Sequence, residues 1–193
     1  MSIQLKYKKL KYEIKYLTAE KDEVLTLLKQ VLPKFEKEFK KIVPEFEQTN
    51  KKVKIKNNTN KKSKDKISNE KRQTKNKDVK KVYRRIVTRT HPDKLEQLPN
   101  TQLKKGLIKK YKEAVNSYRE NDIVSLFDLA DELDIKLPEI DESHIAMMTK
   151  QSDALKREIS AYRNSNALIW HNSENQEETM NQIIEKLKQA GRI

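Results

Sequence analysis

The feature that most constrains the fold is a periodic run at the N-terminus. Over residues 2–32 the positions Ile3, Tyr7, Leu10, Ile14, Leu17, Lys21, Val24, Leu28 and Val31 recur at alternating steps of four and three. That spacing returns to the same face of a helix every two turns, so it predicts a long helix with one narrow apolar seam. Tyr7, Ile14, Lys21 and Leu28 take heptad position a, and Ile3, Leu10, Leu17, Val24 and Val31 take position d. Lys21 is the one polar a-residue, the kind that specifies register and oligomer state at some cost in stability. The seam fits two partners equally well: a second copy, giving a homodimer through residues 3–31, or the chain's own C-terminal helices.

Composition supports a helical chain. Two glycines and five prolines in 193 residues leave little material for tight turns. Apolar residues make up 35% and charged residues 37%, which argues against a single large core. With no cysteine there are no disulfides, thiolate zinc sites or cysteine nucleophiles. The three histidines, His91, His144 and His171, are scattered and form no metal-ligand pattern. No apolar run approaches a membrane span and no signal-peptide core is present, so the expected location is the cytoplasm, or a virion interior for a viral protein. Charge is unevenly placed. Residues 51–81 hold 14 basic and 3 acidic side chains, whereas residues 122–193 hold 8 and 14. Residues 49–76 are rich in Lys, Asn, Ser and Thr. Such a segment buries too little surface to offset its ordering entropy and reads as a basic linker. Without aromatic residues it would meet nucleic acid, if at all, non-specifically and through phosphates; that contact is assigned to residues 51–81.

After the linker, Val79, Val82, Tyr83, Ile86, Val87 and Thr90 share one helical face, while Lys80, Lys81, Arg84, Arg85 and Arg89 cover much of the rest. Pro92 disfavours the α conformation at His91, so this helix should stop there. Leu103, Leu107, Tyr111, Ala114, Val115 and Tyr118 then mark a second amphipathic helix, with Asn100 or Thr101 as its N-cap.

Two helices joined by His91-Pro92-Asp93 resemble helices II and III of a J domain, the DnaJ-type co-chaperone module. Tyr83-Arg84-Arg85, Arg89 before the turn and Lys94 after it stand where J domains carry such residues. The resemblance covers about residues 77–121 and is similar to divergent J-like proteins of large DNA viruses, some bacteria and phages. It implies binding to a DnaK-type heat-shock chaperone and stimulation of its ATP hydrolysis. In that role His91, Pro92 and Asp93 would meet the chaperone's domain junction. Lys80, Lys81, Tyr83, Arg84, Arg85, Arg89 and Lys94 would form the docking face. The sequence departs from the family twice. No Tyr-Tyr-x-x-Leu-Gly-Val-like first helix precedes Lys80, and no Gln-Lys-Arg-Arg-like fourth helix follows. Other segments must therefore complete the core.

Ile123, Leu126, Phe127, Ala130 and Leu133 offer one such segment. Phe35, Phe39 and Phe46, in a short amphipathic stretch beyond a helix break at Pro33, offer a surface in place of the first J-domain helix. Beyond Pro138, a helix over about 141–164 carries Ile145, Met148, Ser152, Leu155, Ile159 and Tyr162 on one face. Trp170 reads as a core plug. Ser173 and Gln176 fit a capping box for a last helix with Met180, Ile183, Ile184, Leu187 and Ala190 inward and Gly191 at its end. The expected architecture is all-α: an N-terminal coiled-coil-like segment (1–48), a linker (49–76), a J-domain-like hairpin region (77–137) and a C-terminal antiparallel helix pair (138–193). No phosphate loop, nucleophile triad or carboxylate–histidine pattern is present, so neither enzymatic chemistry nor a cofactor is expected. The alternative to a co-chaperone is a structural scaffold, for example of a virus particle, that retains a J-like fold.

Overall fold

In a computed structural model the described residues, 2–44, 76–96, 99 and 101–193, are helical and turn-forming, with no strand among them. The expected linker and Phe46 lie outside the described residues, apart from Asn76 at the linker's end. The helices are α1 (Ile3–Ile42), α2 (Lys77–Thr90), α3 (Gln102–Glu120), α4 (Ile123–Glu132), α5 (Glu142–Arg163), α6 (Asn166–His171) and α7 (Gln176–Gln189), with a 3-10 turn over Pro92–Leu95. None of these helices is long and apolar enough to cross a membrane. Two compact units emerge, each discontinuous in sequence: Met1–Ala19 with Glu70–Lys156, and Glu20–Asn69 with Arg157–Ile193. The segments 1–48 and 138–193 therefore each contribute to both units.

The first unit is built around α4. Ile123, Val124, Leu126, Phe127, Leu129 and Ala130 are all buried, because this helix is apolar on nearly its whole circumference. α4 packs on α2 and α3, which also pack on each other. Ile14 from α1 and Met148 from α5 close the same core, against Val79, Val82 and Ile86 of α2. α4 thus supplies the centre against which the α2–α3 hairpin packs. The N-terminal seam is covered within this chain: Ile14 is 2% and Leu17 7% exposed. Polar groups fix the register. Lys11 and Lys15 both bind the Asp128 carboxylate, at 2.6 and 2.7 Å. Lys156 binds Glu13 at 2.6 Å, and the buried Ser152 hydroxyl donates to the same Glu13 carboxylate at 3.0 Å. Burial would raise the Asp128 carboxyl, but hydrogen bonds and charge from Lys11 and Lys15 outweigh it and hold it below its ordinary value.

The second unit corrects several local expectations. Pro33 does not break α1, which runs on to Ile42. Proline removes one ladder bond, yet Val31 and Phe39 on either side of it are buried, and that packing holds the helix through the defect. Phe35 and Phe39 belong to this unit and not to the one that holds the α2–α3 hairpin. They lie against each other at 5.8 Å, and Phe35 meets Trp170 edge-on at 5.7 Å. Trp170 is buried on α6, a helix standing between the two members of the expected C-terminal pair, and α7 makes its close backbone packing with α6. Lys21, the polar seam residue, pairs with Glu158 of α5, and Glu20 pairs with Arg163 at 2.6 Å. The last helix is capped by Asn175, whose side chain accepts from the Glu178 N–H at 3.1 Å. The Ser173–Gln176 box is not formed; the Ser173 hydroxyl meets that of Thr179 instead. At its far end Ala190 is exposed rather than inward. Gly191 takes φ +63°, and the bonds from the Gly191 N–H to the Lys188 carbonyl and from the Arg192 N–H to the Leu187 carbonyl complete a Schellman motif.

Candidate functional site

α2 starts at a defined cap: the Asn76 side chain accepts from the Asp78 N–H at 2.8 Å. Val79, Val82, Ile86 and Thr90 turn inward, and the buried Thr90 hydroxyl is satisfied by the Ile86 carbonyl at 2.8 Å. The helix ends where Pro92 requires. His91 is extended, with φ −61° and ψ 131°, and Pro92 opens the 3-10 turn. Leu95, buried in the core, anchors the far side of this turn. α3 follows, with Thr101 as its N-cap. Its inward face begins at Leu107, one turn later than the periodicity implied, because Leu103 is 68% exposed.

Three contacts set the hairpin geometry. The Tyr83 ring stacks on Tyr118 with centroids 4.0 Å apart and planes 6° from parallel. Burial, then the neighbouring Tyr111 and Tyr118, push the Tyr83 phenol up. The His91 ring stands edge-on to Tyr111 at 5.3 Å. Its Nδ1 accepts from the Asp93 N–H at 3.4 Å and lies 3.5 Å from the Asp93 carboxylate. The turn backbone is held from inside while the Asp93 side chain is 81% exposed. Lys94 beside it is also exposed.

The basic residues divide into two groups. Lys80, Lys81 and Arg84 are exposed on α2. Arg85 and Arg89 are exposed too, but each donates from Nη1 to a backbone carbonyl beyond α4. Arg85 reaches Lys136 at 3.3 Å, and Arg89 reaches Leu133, the C-cap of α4. The Arg89 guanidinium thus satisfies the C-cap carbonyl of α4, and the Arg85 guanidinium satisfies a carbonyl in the chain beyond it. Of the residues expected on the docking face, Tyr83 packs the hairpin together, and Arg85 and Arg89 tie α2 to the chain that follows α4.

Alongside α2 runs an open groove of about 940 Å³. Lys80, Lys81, Arg84, Arg85 and Arg89 of α2 line it together with Lys77, Thr88, Ile135 and Lys136. Lys77 and Lys136 were not singled out in the sequence. Lys136 is a lone lysine in an acidic stretch, and only the fold brings it beside α2. His91, Pro92 and Asp93 do not line the groove, so the turn and the groove are neighbouring but separate features. The arrangement suits binding: exposed cations line the groove, and the turn beside it presents the Asp93 carboxylate. The chain matches no known protein family, no curated protein and no solved structure.

Proposed function

We propose that the chain is a J-domain-like co-chaperone that docks on a DnaK-type heat-shock chaperone and stimulates its ATP hydrolysis. The observation that carries this reading is the presentation of Asp93: an exposed carboxylate on a turn fixed by His91, Pro92 and Leu95, at the end of a cation-bearing helix. A carboxylate so placed can accept a charge-assisted hydrogen bond from an arginine of the partner. The α2 cations would speed encounter with an acidic surface, while Asp93 would carry the coupling to hydrolysis.

The test is single-turnover ATP hydrolysis by the chaperone of the matching host. Wild-type protein should accelerate it. Asp93→Asn and His91→Gln should each lower the stimulation by at least about tenfold, the scale of a typical coupling free energy. Because Asp93 is exposed, Asp93→Asn should leave the helical circular-dichroism signal and melting temperature unchanged. A folded Asp93→Asn protein that stimulated normally would end the co-chaperone reading.

A further inference from the structure

The groove beside α2 gathers seven cations of the first unit. Elsewhere in that unit, Lys11, Lys15, Lys110 and Lys156 each reach a carboxylate within 2.8 Å. Among the described residues, no carboxylate lines the groove and no ion pair involves its cations. Concentrating like charges costs self-repulsion, and a dense anion bound along them would offset that cost. On α2 the cations fall in two rows, Lys77–Lys81–Arg85–Arg89 and Lys80–Arg84, with steps of four residues, or about 6 Å. Thr88 adds an exposed hydroxyl donor beside them.

We infer that this groove binds the sugar–phosphate backbone of duplex nucleic acid, without reading its sequence. The lining contains no aromatic side chain, and single-strand binders depend on stacking platforms. A duplex needs no such platform and offers one phosphate charge per about 1.7 Å of axis. Lysine, arginine and threonine are donors suited to phosphate oxygens, and nothing in the lining selects among base edges. This activity does not rest on the co-chaperone reading. The two share cations but not the turn, so each can fail without the other.

The experiment is fluorescence anisotropy of the full-length protein with a labelled mixed-sequence duplex, titrated at rising salt. Five groove cations without a backbone bond predict a log–log salt slope of roughly −4 to −5. Lys77→Glu with Lys81→Glu should weaken binding at least about tenfold near 0.1 M salt and flatten the slope by about 2. Lys77 lies in the first turn of α2, where an acidic side chain favours the helix, and Lys81 is exposed in the next turn. Arg84→Gln, which removes charge without reversing it, should weaken binding in the same direction. Lys8→Glu with Lys29→Glu, exposed on α1 and equal in charge change, should stay within about twofold of wild type. An absence of salt-dependent binding, or equal losses in the groove and control variants, would overturn the inference. So would an affinity for poly-glutamate at least equal to that for the duplex, which would make the groove a site for acidic polypeptide.

Discussion

Asp141 shows how much one side chain organises. It precedes α5, and its Oδ1 accepts from the His144 N–H at 3.0 Å and from the Ser143 hydroxyl at 2.9 Å. Those two bonds, the backbone one foremost, hold its carboxyl at about 2, down from 3.8. The same oxygen lies 2.7 Å from Nδ1 of His144, a fully buried imidazole packed near Phe127 at 5.8 Å. The Asp141 backbone N–H donates to the same Nδ1 at 3.3 Å, while Nε2 is buried with no hydrogen-bond partner. A carboxyl whose folded value is depressed stabilises the fold above its unfolded value and loses that contribution as pH falls through the folded one. Thermal melting should therefore show a drop in Tm between about pH 4 and about pH 2. Asp141→Asn should shrink that drop while changing Tm little at neutral pH, since asparagine caps helices nearly as well. An identical acid profile in the variant would show that other carboxylates dominate.

Among the elements, α1 departs furthest from what local rules imply. Pro33 cannot donate to the carbonyl four residues back, and its ring crowds the preceding turn; an interior proline costs a helix about 3 kcal/mol relative to alanine. The residue is exposed, so its ring contributes little burial to offset this. Pro33→Ala should therefore stabilise the protein by about 1–3 kcal/mol, read as a higher Tm or urea midpoint. An unchanged Tm would mean that α1 has already relaxed around the missing bond. α2 is the opposite case. Its inward residues were legible from periodicity, its end from Pro92, and its charged face from composition. The clasp of Arg85 and Arg89 on Lys136 and Leu133 was not legible, since 51 and 44 residues separate the partners. A local pattern states which way a side chain points, not which backbone it reaches.

For the whole molecule, α4 is the keystone of the first unit. Phe127 is completely buried in a cluster that draws on α1, α2, α3 and α5. Phe127→Ala should cost about 3–5 kcal/mol, measured by urea unfolding, because the surrounding helices cannot all collapse into the vacated space. A loss below about 1 kcal/mol would show that the hairpin's core stands without α4. The chain's order conceals this arrangement: both units are assembled from separated segments, and Ser152 meets Glu13 across 139 positions. By itself the sequence determined the all-helical character, most helix limits, the inward faces and the His91-Pro92-Asp93 turn. These follow from 3.6-residue periodicity and from proline's missing N–H, both of which act over a few residues. Tertiary structure alone decided that the N-terminal seam is covered within the chain, that α1 passes through Pro33, that Asn175 rather than Ser173 caps α7, and that Lys136 joins α2 in one groove. Those outcomes depend on shape and charge complementarity between distant segments, which a one-dimensional period cannot encode.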